Sequence, residues 1–216
     1  MRLRLPADSV WVAETEVRRS RFLARVARAD SEDAARAAVA DARAEHPTAR
    51  HHCSAFIVDV PDAQPIERSS DDGEPTGTAG TPMLEVLRAA DLTQVVAVVT
   101  RYFGGTLLGI GGLARAYADA TAAALQNTPR VRPVAEQLLA VTLGPEEAGR
   151  IEGALLARGS TVVSTTWGAQ VQLILATTDP SGLGALVREV AQREVDLAWA
   201  GTRTIEIPVR PPNPEA

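Results

Sequence analysis

The chain has 216 residues, 45% of them hydrophobic, which is enough to bury a core and excludes wholesale disorder. Its 22 basic residues are outnumbered by 27 acidic ones, and the net charge of −5 excludes a generally basic nucleic-acid coat. All the basic residues are arginine. Without a lysine, Schiff-base chemistry, a Walker-type phosphate lysine and a lysine general base are excluded together.

A single cysteine, Cys53, makes neither an internal disulfide nor a cysteine zinc cluster. The start, Met1-Arg2-Leu3-Arg4-Leu5-Pro6, has no apolar run of signal-peptide length. The longest uncharged stretch, Gly159 to Thr178, is broken throughout by Ser, Thr, Gln and Gly, and predicts a hairpin instead of a membrane span. A cytoplasmic protein without a membrane partner is expected.

In chain order, Trp11 to Ala29 predicts two strands or one bent strand around Arg18-Arg19-Ser20. Asp30 and Ser31 offer an N-cap, Glu32 and Asp33 suit the positive end of a helix, and an alanine-rich run continues to Glu45. Cys53 to Val60 predicts a strand. Pro61 to Pro82 carries four prolines, three glycines and five acids, a composition expected of a long functional loop. A helix over Pro82 to Ala90 and a valine-rich buried strand over Gln94 to Phe103 follow. Then come Gly104-Gly105-Thr106-Leu107-Leu108-Gly109-Ile110-Gly111-Gly112 and a helix from Leu113 to about Gln126.

Thr128-Pro129-Arg130-Val131-Arg132-Pro133 has linker composition, which predicts two domains, residues 1–130 and 135–210. The second half predicts a strand over Gln137 to Leu143 and a helix from Pro145 to Arg158. Strands over Thr161 to Trp167 and Ala169 to Thr177, a helix from Asp179 to about Glu194 and a last strand over Thr202 to Val209 complete it. That order, β-α-β-β-α-β, is the ferredoxin-like arrangement. Residues 136–216 hold ten acids against six arginines, whereas the preceding part holds 17 against 16, so arginine concentrates toward the amino half.

Two segments invite chemistry. In the first, a strand, a glycine-rich loop and a helix start present backbone N–H groups to an anion. Arg101 and Arg115 add charge-assisted donors, Tyr102, Phe103 and Tyr117 add stacking faces, and Gly104, Gly105, Gly111 and Gly112 let the backbone approach closely. The alternative is that these glycines serve only a tight turn and helix-on-sheet packing, and their spacing matches neither the Rossmann nor the Walker pattern. The second segment, Ser69 to Pro82, contains Asp71, Asp72 and Glu74. Three carboxylates in four positions suit a divalent cation or acid/base work, but the EF-hand spacing is missing, and a solvated turn or pairing with Arg101 and Arg115 are the competing readings. His51-His52-Cys53 has no further cysteine to work with, and a buried thiol is expected. No metal, cofactor or catalytic group is assigned.

Together, Asp71 to Gly80, Arg101 to Gly105 and Gly109 to Tyr117 resemble the YigZ/IMPACT family, and Ser20-Arg21-Phe22 and His51-His52-Cys53 resemble its early motifs. The likeness covers about residues 10 to 127, with Thr76, Thr81 and Leu108 standing where serine and lysines are common in the family. It implies an α+β protein of two domains. The first would be similar to a small-subunit ribosomal protein and domain IV of elongation factor G, and the second to that factor's ferredoxin-like domains. Eukaryotic relatives are translation regulators with an added amino-terminal partner-binding domain, so their role is not expected to transfer directly. The resemblance implies no catalytic residues.

The leading expectation is a non-enzymatic, translation-associated protein that touches RNA, the ribosome or a translation factor, without DNA specificity. The phosphate contacts would come from Arg101, Arg115 and the glycine-loop N–H groups, with stacking by Tyr102 or Phe103. Alternatives are an enzyme binding a small molecule or nucleotide through the glycine and acidic loops, and a protein–protein regulator docking through the ferredoxin-like domain.

Overall fold

The computed structural model describes residues 2–61 and 63–209, and these form two compact units: residues up to 132 together with 208 and 209, and Pro133–Ile207. The whole is α+β, with two sheets and five helices.

The first unit opens with β1 (Val10–Val17) and β2 (Ser20–Arg28), paired antiparallel from Val10↔Ala27 to Val17↔Ser20. Only Arg18 and Arg19 separate them, at φ 47° and 66°. A two-residue hairpin turn needs both positions left-handed, which usually selects Asn and Gly. Helix α1 (Glu32–Glu45) follows, and the Ser31 side chain accepts from the Ala34 N–H at its start, as the capping pattern predicts. β3 (His51–Val58) and β4 (Ile66–Ser70) come next. The expected structureless stretch from 61 to 82 therefore contains an edge strand. Its polar Glu67, Arg68, Ser69 and Ser70 hide the alternation that identifies a strand in sequence.

Helix α2 (Gly80–Ala89) starts two residues before the predicted Pro82, because Gly80 packs on the Ser70 backbone, where a Cβ would lie 2.6 Å from the nitrogen. β5 (Val95–Tyr102) is the central strand of the sheet order β1-β2-β5-β3-β4 and is antiparallel to both neighbours. Its valine run is explained by burial on both faces. Val95, Ala97 and Val99 join the cluster under α2 and α3, and Val96 and Val98 join the one under α1. Each such valine contributes about 1.5–3 kcal/mol relative to an exposed one. Helix α3 (Gly109–Leu125) begins four residues before the predicted Leu113, so part of the glycine loop is its first turn.

β6 (Arg130–Leu143) begins inside the expected linker. Val131 and Arg4 exchange two backbone hydrogen bonds of 2.9 Å, which makes this segment a strand. α4 (Pro145–Ala157), β7 (Thr161–Thr166), β8 (Val171–Thr177), α5 (Pro180–Ala191) and β9 (Leu197–Val209) follow. The sheet order is β7-β8-β6-β9. Leu139, Val141 and Leu143 of β6 and Leu173 and Leu175 of β8 pack with Ile151 and Leu155 of α4 and Val187 of α5. Among the described residues no helix is long and apolar enough to cross a membrane.

The Arg18-Arg19 turn is fixed from outside the hairpin. A Cβ on Gly104 would lie 2.0 Å from the Arg19 carbonyl carbon, too close for any side chain. Gly104→Ala should lower stability by about 1–3 kcal/mol or more, read as the urea unfolding midpoint.

Candidate functional site

The strand directions gather four connections at one end of the first sheet: the β1–β2 turn, the segment entering β3, the acidic loop 71–79 and the glycine loop 103–108. The acidic and glycine loops each lead into a helix, so the amino ends of α2 and α3 lie there too.

The three carboxylates of the acidic loop point to three different partners. Asp71 accepts from the N–H groups of Gly77 (2.7 Å), Ala79 (2.9 Å) and Gly80 (2.9 Å), closing the loop and capping α2. Burial alone would raise its pKa, but the three N–H donors outweigh burial and hold it below the ordinary carboxylate value. Asp72 accepts from the His52 N–H at 2.6 Å and pairs with Arg43. Burial raises its pKa, but the His52 N–H and then Arg43 bring it below normal. Glu74 turns inward. It accepts from Arg101 Nη1 at 2.6 Å and from the Tyr117 hydroxyl at 2.8 Å. Among the described residues no group of three His, Cys, Asp or Glu is placed to hold a metal ion.

The Arg101–Glu74 pair is the floor of the site, with side chains only 6% and 4% exposed. The guanidinium carbon lies 5.5 Å from the Phe22 ring centre and 5.6 Å from that of Phe103, within cation–π range of both. Arg101 Nη2 also reaches Ser20 Oγ at 3.3 Å, and the same oxygen accepts from the Gly104 N–H at 3.1 Å. The expected direct phosphate contact by Arg101 is corrected here. Its charge is already met by a buried carboxylate, and its side chain is enclosed by aromatic rings. Tyr117 is likewise internal, packed edge-on against Phe22 at 5.2 Å, and burial pushes its phenol well above the usual range. It orients Glu74 and offers no stacking face.

Tyr102 points to the opposite face of β5, its hydroxyl 3.2 Å from His46 Nδ1, so it does not share a wall with Phe103. Gly105 has φ 84°, and Gly111 and Gly112 lie in the first turn of α3. Arg115, one turn further on, is exposed and has no ion pair among the described residues. Cys53 is fully buried and its thiol donates to the Asp71 carbonyl at 3.0 Å. Burial pushes its pKa up to about 12, which leaves no thiolate at neutral pH.

Above the Arg101–Glu74 floor lies a cleft of about 430 Å³ between the two loops, walled by Pro75, Phe103, Leu107, Leu108, Ile110 and Leu113 and edged by Arg50 and His51. Phe103, Leu107 and Ile110 are 52%, 82% and 72% exposed. The first N–H groups of α3 at its rim have no side-chain cap and no acid in the first turn. Arg50, Leu107 and Ile110 are absent from the sequence-derived set, as are Arg18 and Arg19. The one available signal was the pair of hydrophobics between glycines, which composition attributes to packing.

The sequence signature described as the Impact N-terminal domain matches residues 18–125. The chain belongs to the IMPACT family. IMPACT family member YigZ of Escherichia coli K12 is 47% identical over 137 residues, covering 62% of this chain and 67% of that protein. Among solved structures, a crystal structure of a hypothetical protein is 33% identical with a TM-score of 0.61, covering 91% of this chain and 97% of the other. A structure of Yih1, described as a two-domain translational regulator, is 26% identical with a TM-score of 0.40, covering 57% of this chain and 48% of that one. The family's acidic and glycine motifs are the two walls of the cleft.

Arg101→Ala should leave the buried Glu74 side chain without its ionic partner. A loss of about 3–5 kcal/mol is expected, read by thermal unfolding, with no comparable loss in Arg115→Ala. Asp71 gives a pH signature. Because its folded pKa lies below the ordinary 3.8, its stabilisation is present above that value and lost as pH falls through the lowered one. Asp71→Asn should therefore destabilise the protein at neutral pH and flatten the acid limb of its stability curve.

Proposed function

We propose that this IMPACT family chain is a non-catalytic, translation-associated binding protein that contacts RNA through the loop end of its first unit. The observation that carries the reading is local charge. Arg18, Arg50 and Arg115 make no ion pair among the described residues, whereas Asp71, Asp72 and Glu74 at the same end are all engaged. Four exposed donors then address phosphate: the three free guanidiniums and the uncapped N–H groups that open α3. Arg19, hydrogen-bonded to Thr106 at 3.4 Å, lies between the hairpin and the glycine loop. Arg101 acts indirectly, by positioning Phe103.

Translation enters through the family, whose eukaryotic members act there. The first unit is read as similar to a small-subunit ribosomal protein and domain IV of elongation factor G. The second is read as ferredoxin-like, supported by its β-α-β-β-α-β order and by a sheet with the first and third strands central. A cytoplasmic location fits this role. The enzyme reading has weaker support, because each carboxylate it would use is tied to a structural donor. A protein partner, such as a translation factor, is the second reading, and the exposed Leu107 and Ile110 favour it.

Fluorescence anisotropy with a labelled RNA across a salt series tests the proposal. Affinity should fall linearly in log–log form as salt rises, and Arg50→Ala and Arg115→Ala should each reduce the slope by about one without changing the melting temperature. Absence of binding at low salt, or binding with no salt dependence, would count against RNA.

A further inference from the structure

We propose that the cleft over the Arg101–Glu74 pair holds one unstacked nucleotide of a single-stranded RNA, its base on Phe103 and its phosphate at the amino end of α3. The inference rests on the RNA reading above and adds the form of RNA that is recognised.

The cleft is of small-ligand size. Its volume of about 430 Å³ lies within the roughly 300–1,000 Å³ typical of small-ligand sites, and its walls are mostly apolar with few polar groups. That volume is of the order a single flat group needs. The Phe103 ring is backed by a cation. One side faces the Arg101 guanidinium, which is locked from the other direction by Glu74 and Phe22, yet Phe103 as a whole remains 52% exposed. A ring backed by a fixed cation is held in place before any ligand arrives and is drained of electron density on its free side, which suits stacking with an electron-rich base.

Charge decides the rest. Among the described residues Arg50, at the edge of the cleft, has no ion pair, and the α3 N–H groups at Gly109 and Ile110 have no side-chain cap. His51 also lines the cleft, with Nδ1 bonded to the Asp72 carbonyl at 2.9 Å, so its other ring nitrogen is left for a ligand. Beneath them Arg101, nine-tenths buried, has an Nε without any hydrogen-bond partner. Among the described residues the only acid in the cleft is Glu74, which Arg101 and Tyr117 satisfy. An apolar planar wall beside a positive rim matches a base and its phosphate. An apolar side chain of a protein would use the wall but leave Arg50 and the helix end unanswered.

Duplex RNA behaves differently, since its bases are already stacked and paired, and recognition falls on backbone and 2′-hydroxyl groups. Single strands should therefore bind this end of the molecule more tightly than the same strand annealed to its complement.

The full chain is titrated with a labelled ten-nucleotide RNA, alone and as a duplex, at fixed salt. The single strand should bind more tightly. Phe103→Ala should weaken single-strand binding by roughly tenfold, leave the salt slope unchanged and leave duplex binding unaffected. Phe103→Tyr should retain affinity, and Phe103→Leu, which keeps bulk and fold but lacks the ring, should behave like Phe103→Ala. Equal binding of strand and duplex, with no effect of Phe103→Ala or Phe103→Leu, would overturn the nucleotide cleft while leaving RNA binding intact. No binding of either RNA would overturn the RNA reading itself. A poly-glutamate peptide that competes at equal charge, with the same Phe103 dependence, would overturn the assignment in favour of a protein partner.

Discussion

The Arg101–Glu74 contact ties together parts of the chain that are far apart in sequence. Glu74 belongs to the acidic loop, Arg101 to the central strand, Tyr117 to α3 and Ser20 to the start of β2, and all meet through one carboxylate and one guanidinium. A buried ion pair contributes little net stability, because its desolvation offsets most of the attraction. What it contributes is geometry. Once both charges are out of water, each is tolerable only with the other in place, so the loops carrying them have few alternatives. The cleft's shape follows from this constraint, since its floor is the pair and its aromatic wall rests on the guanidinium.

The same constraint accounts for the two glycine-dependent approaches at this end. Gly104 must lie against the Arg19 backbone for its N–H to reach Ser20 Oγ, and Gly80 must lie against Ser70 for α2 to start where Asp71 can cap it. Both are positions where a side chain would push the loops off the floor. The glycines of this family's motifs therefore do two separate jobs. Gly104 and Gly80 permit close packing, whereas Gly109 has φ 72° and Gly111 leaves open space at the start of α3, where a ligand can come near.

Most of the fold could be read from the chain because local rules and tertiary context agreed there. The β5 valines, the Ser31 cap and the alanine-rich α1 each carry a strong local signal. The misses share a cause. β4 is a polar edge strand held by its pairing with β3, and the start of β6 is a proline-flanked segment made extended by hydrogen bonds to Arg4, so both depend on partners distant in sequence. The candidate site was legible as a list of residues and as a pairing of the acidic loop with Arg101 or Arg115, but not in which arginine is paired and which stays outside. Nothing in the spacing distinguishes Arg101, which faces inward, from Arg115, which faces out, whereas the alternation of a strand over Gln94 to Phe103 already sets Tyr102 and Phe103 on opposite faces. Which arginine is spent on structure is settled by a carboxylate 27 positions away.

That allocation of charge explains how a chain with net charge −5 keeps guanidiniums without ion pairs at the end that carries its most acidic loop. Asp71 is neutralised by backbone N–H groups, Asp72 by His52 and Arg43, and Glu74 by Arg101, so the most acidic stretch of the sequence adds little negative field outside the molecule. Arg18, Arg50 and Arg115, left over at that end, make no ion pair among the described residues and lie with the partial positive charge of an uncapped α3. Net charge is a poor guide to surface potential whenever acids cap helices and arginines stack on rings. In this protein the acidic loop is the scaffold that leaves the remaining arginines free.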